Sequence, residues 1–432
     1  MRYLLTLTLL LGLIACANNT NVSEELPETT NAKSSRWSDP TLILPDNFEA
    51  IVVADAVGRA RHIAVRDNGD IYIQLQQLKD GKGIAALRDN DGDGRADTLA
   101  YFGEHTGTGM EIYKGYLYCS STTEVFRYPL PEDGALVPDE NSRELVVSGF
   151  PQQGSHEAKS LTFDNDGHLY VNVGAPSNAC MKEARTKGST GMDPCPQLEW
   201  QGGIWQFDAM QAGQTQQGNG ERFATGLRNC VGIQFNHEGN QLYAMQHGRD
   251  QLSYLFPGMY SYEQNAELPS EEFLKVDNGD DFGWPYCYYD HKQGKKVLAP
   301  EYGGDGEKQG RCEGIEEPVV AFPGHMAPND LVFYHSDQYP EKYREGVFIA
   351  FHGSWNRAPL PQKGYFVAFV PMRNGSATGD WEIFVDNIAA ETTIEKPKDA
   401  KHRPTGLAVG PDGSLYITDS VEGKVWKVRY LG

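Results

Sequence analysis

Short apolar runs with an alternating pattern recur along the chain, each launched from a glycine turn. "NGDIYIQL" begins near residue 68, "KGYLYCSS" at 114, "DGHLYVNV" at 166, "EGNQLYAMQ" at 238, "EGVFIAFHG" at 345 and "DGSLYITDS" at 412. Aromatic and β-branched residues alternate in them with small or polar ones, which is the signal of a strand leaving a tight turn. No long stretch carries the 3.6-residue period of an amphipathic helix. A recurrence every roughly 45 to 70 residues, with about four short strands per unit, predicts propeller blades. The reading is therefore all-β: a six-bladed β-propeller with four-stranded blades over residues 41–432. Residues 44–55, "LPDNFEAIVVAD", would supply a strand that closes the ring against "KVWKVRYLG" at the other end. Seven blades or a large sandwich are the alternative architectures.

The first residues follow a different pattern. "MRYLLTLTLLLGLIAC" has a basic residue, an apolar run and a small residue before Cys16. The run is shorter than the roughly 20 residues that span a bilayer as a helix, and reads as a secretion signal over residues 1–15. "LIAC" looks like a bacterial lipobox, which makes Cys16 the lipidated first residue of the mature protein. Residue 17 is Ala, so an inner-membrane retention signal is missing. Asn, Thr, Ser and Glu dominate the stretch that follows, a disordered tether over residues 16–40. The expectation is an outer-membrane lipoprotein facing the periplasm. In that oxidising compartment six further cysteines can pair. Cys180 with Cys195, and Cys287 with Cys312, would each close a short loop inside an insertion between strands. For Cys119 and Cys230 pairing stays open. A formal net charge of −21 argues against a nucleic-acid partner, whose phosphates need a basic surface.

Charge and imidazole gather where the chain leads into the innermost strands. "GRARHIAV" places Arg61 and His62, "SHEAKSLTF" His156 and Lys159, and "GLRNCVGIQF" Arg228 and Asn229. "HGRDQL" carries His247, Gly248, Arg249 and Asp250, and "GHMAPNDLVFY" carries His325 and Asp330. "FHGSWNRAP" adds His352, Trp355 and Arg357, and "KHRPTGLAV" His402 and Arg403. In a propeller the loops that lead into the inner strands crowd around one mouth of the central channel. An acidic protein that brings arginines to such a point is built to hold an anion there.

These motifs, with "DDFGWPYC" and "RPTGLAVGPDGSLYITDS", resemble the pyrroloquinoline quinone (PQQ) sugar dehydrogenases, in particular their sorbosone and pyranose branch. The resemblance runs from about residue 58 to 420 and includes two Cys pairs in matching insertions. It implies a six-bladed propeller that oxidises a sugar hydroxyl by hydride transfer to the quinone. Arg61, Arg228, Arg357 and Arg403 are then the candidates for PQQ's three carboxylates, with Lys159 and His247 also at the cofactor. Asn229 would hydrogen-bond the quinone end. By match, the carbonyls of Gly248 and Arg249 would hold a calcium ion that polarises the quinone. His156 matches the family's catalytic base, and an imidazole with a pKa of roughly 6.5 suits that task. Arg228 and Asn229 stand beside it in the catalytic set. Two departures set aside the glucose contacts of the soluble glucose dehydrogenases: Ser155 stands where they have Asp, and Cys230-Val231 where they have Pro-Gln.

A second calcium site is legible without the family. "DNDGDGRAD" sets Asp89, Asp91, Asp93 and Asp97 at alternating positions around Gly92 and Gly94, an oxygen-rich loop suited to a structural ion. Two rival functions are a calcium-dependent sugar lactonase and a non-catalytic ligand-binding propeller lipoprotein. The lactonase grips its ion with Glu, Asn and Asp side chains and needs no arginines. The chain has no Cys-x-x-Cys-His and no Gly-x-Gly-x-x-Gly opening a βαβ unit. Neither haem nor NAD is therefore expected, and electrons must leave to an external acceptor, a cytochrome or a diffusible quinone.

Overall fold

A computed structural model describes residues 34–432. Among the described residues six sheets are arranged as propeller blades, and a seventh is a separate two-stranded hairpin. Blade 1 holds Ala60–Val65, Ile71–Lys79, Lys82–Arg88 and Thr98–Phe102, and blade 2 holds Met110–Tyr113, Tyr116–Ser120, Val125–Pro129 and Glu144–Ser148. Blade 3 is Leu161–Phe163, His168–Val173, Gly203–Asp208 and Glu221–Thr225, and blade 4 is Cys230–Asn236, Gln241–Gln246, Glu271–Val276 and Val320–Phe322. Blade 5 comprises Pro328–Tyr334, Gly346–Phe351, Phe366–Arg373 and Glu382–Val385. In blade 6, Pro404–Val409, Leu415–Asp419 and Val425–Tyr430 are joined by Phe48–Ala54, so the first described strand completes the last sheet. That closure is antiparallel, with Ile51 opposite Lys427, and ties the two ends of the described chain into one blade. Two blades exceed four strands: Gln214–Thr215 pairs in parallel with Glu144–Ser148 of blade 2, and Ser376–Ala377 extends blade 5.

All six glycine-launched runs form the second strand of a blade. Both faces of such a strand are covered by neighbouring sheets, which is why Ile71–Lys79 starts with five buried residues and all six residues of Gly346–Phe351 are buried. The apolar side chains collect into one cluster per pair of neighbouring blades. The cluster between blades 5 and 6 packs Tyr334, Tyr339, Phe348 and Phe384 against Trp426, with Phe48 wedged edge-on to Tyr339. The inner strands touch one another in cyclic order and enclose a central cavity of about 230 Å³ lined by residues of all six blades.

The longest insertions lie in blades 3 and 4. The Cys180–Cys195 disulfide closes a loop between the second and third strands of blade 3, and Cys287–Cys312 ties the hairpin of Cys287–Asp290 and Lys295–Leu298 to the loop beyond it. Cys119 and Cys230 are separate buried thiols. No helix among the described residues is long and apolar enough to cross a membrane. Cys16 and the secretion signal lie outside the described residues. The tether expected over residues 16–40 gives way to ordered contacts within that span. Asp39 N–H donates to Ala50 O (2.8 Å), and Asp39 accepts from Trp426 Nε1 (2.9 Å). Trp37 donates its indole N–H to Asp93 (2.8 Å).

Candidate active site

The loops leading into the inner strands converge at one mouth of the ring, as the repeat requires, and His156 sits at their centre. It occupies a left-handed backbone conformation, φ 52°, which a β-carbon disfavours and the surroundings must enforce. Gln153 Nε2 reaches the carbonyls of Ser155 (2.7 Å), His156 (2.9 Å) and Gly174 (3.0 Å), and Gln201 holds Gln153 in turn (2.8 Å). His156 Nδ1 lies 2.6 Å from Ala175 O. A carbonyl only accepts, so the proton is on Nδ1 and the lone pair is on Nε2. Burial, reinforced by the Arg228 charge, pulls the imidazole down to a pKa of about 3. That differs from the ordinary value assumed from the sequence, because the ring is desolvated and faces a guanidinium. These surroundings favour the neutral imidazole, an acceptor at Nε2.

His156 lines two cavities. One, of about 210 Å³, is walled by Arg61, Thr108, Ser121, Glu157 and Asn229. The other, of about 270 Å³, is walled by Arg185, Asp250, His325, Trp355 and Asn356. The Asn229 side chain makes no hydrogen bond among the described residues, and its buried Oδ1 has no partner. Leaving such an atom unpaired is costly, so the amide is shaped for something that enters the cavity.

The predicted arginines divide into two groups. Arg228 is committed to the protein: it donates to Asn178 O (3.1 Å), Asn178 Oδ1 (3.0 Å), Gly248 O (3.0 Å) and Asp250 Oδ2 (2.9 Å). Arg357, 2% exposed, is spent on Ala266 O, Gly324 O, Pro361 O and Glu267, and does not reach either cavity. Arg61 is different. Its Nε donates to Thr108 Oγ1 (3.2 Å), its remaining donors have no partner among the described residues, and burial lowers its pKa to about 10. Arg403 donates to the carbonyls of His352 (2.9 Å) and Gly353 (2.6 Å) and lies over the Tyr365 ring. The charge of Arg59 acts on Arg61, Arg403 and His352, lowering the pKa of each. These three arginines act electrostatically on one another's surroundings, Arg61 alone of them lining a His156 cavity and Arg59 donating to Ser420 O (3.4 Å), and the expected ring of four becomes this group.

The remaining predicted residues serve the frame. Lys159 is fully buried and donates to Glu157 O (2.9 Å), and burial lowers its pKa to about 8. His62, His247 and His325 each place Nε2 on a backbone carbonyl, those of Asn329 (2.9 Å), Pro328 (2.8 Å) and Asn265 (2.8 Å), so that His62 links blade 1 to blade 5, His247 links blade 4 to blade 5, and His325 anchors the blade 4 insertion. His402 is held by Asp419 (2.9 Å) and His352 by Ser420 (2.8 Å). Gly248 N–H donates to Glu271 (3.0 Å) while its carbonyl accepts from Arg228, and Arg249 pairs with the buried Glu301. In the acidic loop Asp89, Asp91 and Asp97 turn oxygens toward one point. Asp93 instead faces Arg36 and Trp37, outside that cluster.

Several site residues escaped the sequence reading. Arg59 carried a signal: it stands two residues before Arg61 in "GRARHIAV", just ahead of the strand Ala60–Val65. Asn178, Gln153 and Gly174 carried none, because their roles arise from chain segments brought together by the ring.

Comparison with known proteins agrees with this geometry. A family model described as TrAA12-like matches residues 42–431. A pyrroloquinoline quinone-dependent pyranose dehydrogenase of Coprinopsis cinerea is 25% identical over 234 residues, 48% of this chain and 31% of that protein. An aldose sugar dehydrogenase of Escherichia coli is 24% identical over 280 residues, 64% of this chain and 60% of that protein. The match thus spans less than two thirds of either relative. Among solved structures, the calcium structure of the Trichoderma reesei carbohydrate-active enzyme of family AA12 superposes with a TM-score of 0.73 at 18% identity, covering 93% of this chain and 99% of that one. At that identity the likeness bears on the fold.

Proposed function

The chain belongs to the TrAA12-like family, and from that premise we propose that it is a PQQ-dependent oxidoreductase that oxidises a sugar hydroxyl with His156 as the base. The observation that carries the proposal is the juxtaposition of three features at one mouth. These are a neutral imidazole with an outward lone pair, an unpartnered Asn229 amide and an Arg61 guanidinium with spare donors.

The residues fit the group. Carboxylates match Arg61, Arg403 and Arg59, whose mutual repulsion an anion relieves. The Asn229 amide can donate from Nδ2 to a quinone oxygen and accept at Oδ1 from a sugar hydroxyl. When bound, PQQ supplies the two-electron sink that no side chain offers. The protein supplies the rest. Ala175 O and the Gln153 clamp hold the His156 ring so that Nε2 faces the cavity. As the carbinol C–H leaves as hydride, the hydroxyl proton passes to Nε2. Asp250, held ionised with a pKa of about 2, offsets the Arg228 charge that would otherwise oppose an imidazolium. Trp355, 52% exposed, presents an apolar face on which a sugar ring can lie.

Calcium is a separate element of the proposal. Gly248 O already accepts from Arg228, which leaves a thin donor set for an ion that takes about 6–8 oxygens. Asp89, Asp91 and Asp97 are the proposed seat of a structural ion. An external electron acceptor and a lipid anchor at Cys16 complete the reading. The test is a titration of the purified protein with PQQ, followed by absorbance, and then dye reduction with a panel of aldoses. Saturable binding and sugar-dependent reduction are expected, and absence of PQQ binding overturns the proposal.

A further inference from the structure

The disulfide-closed loop of blade 3 does something the mechanism does not use. It projects Arg185, at φ 51°, over the cavity that also holds His156 and Trp355. Arg185 donates to Gln251 Oε1 (2.7 Å) and to Asp250 Oδ2 (3.0 Å). The same Asp250 oxygen already accepts from the buried Arg228 at 2.9 Å, and its other oxygen accepts from Asn356 at 2.8 Å. Asp250 is therefore satisfied without Arg185, and one carboxylate faces two guanidiniums. The other carboxylate of the cavity, Glu271, is turned onto the backbone N–H groups of Gly248 (3.0 Å) and Ala327 (3.2 Å). The Arg185 side chain is 42% exposed against 5% for Arg228, so it is the one free to swing to an incoming group.

We propose that Arg185 is a specificity-determining residue that selects a sugar bearing a carboxylate, a uronic acid, by pairing with that carboxylate while the ring lies on Trp355. A planar guanidinium matches a carboxylate with two parallel hydrogen bonds, a geometry that a sugar hydroxyl cannot return. The cavity of about 270 Å³ lies below the usual range for drug-sized ligands, and suits a single sugar ring rather than an extended glycan. The 15-residue span between Cys180 and Cys195 restrains the loop that carries Arg185.

This inference rests on the oxidoreductase reading, and the test separates the two. Dye-linked kinetics of the PQQ-loaded protein are compared for D-glucuronate and D-galacturonate against D-glucose and D-galactose. The uronates should lead by about tenfold or more in kcat/KM. Arg185→Gln should raise KM for the uronates by about ten- to hundredfold, with neutral sugars changed less than about twofold and Arg185→Lys intermediate. Calorimetric titration of the cofactor-free protein with D-glucuronate supplies the second readout, with binding that weakens as salt rises and is lost in Arg185→Gln. Turnover of neutral sugars with no uronate preference, or an equal effect of Arg185→Gln on both classes, overturns the inference and leaves the oxidoreductase reading intact. Glucuronate binding without turnover of any sugar keeps the inference and rejects that reading. Neither binding nor turnover of a uronate rejects the inference.

Discussion

Gly174→Ala tests whether the position of His156 governs turnover. Gly174 does not adopt a positive φ, so a side chain is not barred by the backbone itself. Space is the issue: a β-carbon there would stand 2.6 Å from His156 O, 2.8 Å from His156 Cβ and 3.1 Å from Asn229 Oδ1. The first contact is with backbone, which cannot rotate out of the way. The His156 loop must move by several tenths of an ångström, and the move is resisted by the bonds to Ala175 and Gln153. Overpacking of this kind costs about 1–3 kcal/mol of stability. A displacement of up to about 1 Å at a reacting group costs roughly 10²-fold in rate. The expected result is a 10- to 100-fold loss of kcat in the dye-linked assay, at a temperature where the variant is folded by circular dichroism. Gly154→Ala is the control. Gly154 lies two residues before His156, has no positive φ, and a methyl added there would meet nothing within 4 Å, so its variant should keep full turnover. Unchanged kcat in folded Gly174→Ala would refute the argument, as would an equal loss in both variants.

Other outcomes follow from the same contacts. His156→Ala should leave PQQ affinity nearly intact and lower kcat by about 10² or more, checked by titration and single-turnover kinetics. Because the His156 pKa is lowered to about 3, the base stays unprotonated down to acidic pH, and the acid limb of kcat/KM should lie below pH 5; a limb at pH 6 to 7 assigned to His156 would contradict the structure. Arg61→Ala should weaken PQQ binding about tenfold or more, whereas Arg357→Ala should leave binding alone and lower the melting temperature, since it removes the donor to the Ala266 and Gly324 carbonyls and to Glu267. Burial raises Glu111, Glu271 and Asp330 to pKa values of about 8. Each folded value exceeds the unfolded one, so the stability these groups contribute is full below about pH 4 and is lost as pH rises toward 8. Thermal melts of the cofactor-free protein should show that decline, with a shallower slope in Glu111→Gln.

The sequence alone determined the architecture, because a propeller is written locally. Each blade needs a turn and alternating strands, and sheets buried on both faces demand the apolar runs seen at Ile71–Lys79 or Gly346–Phe351. The closing strand was equally legible, since Phe48–Ala54 had no other partner to complete the last sheet. Residue types at the mouth were legible too, because the repeat brings every loop that leads into an inner strand to one place. The sequence could not say which way those side chains turn. Whether a guanidinium serves a ligand or the frame depends on acceptors from distant segments: Asn178 and Asp250 take Arg228, Ala266 and Glu267 take Arg357, and Arg61 keeps donors to spare. The acidity of His156 was likewise out of reach, for desolvation and the Arg228 field exist only once blades 3 and 4 meet. Hydrogen-bond partners and burial are properties of the closed ring, and they turned four equivalent arginines into two structural ones and a group with room for an anion.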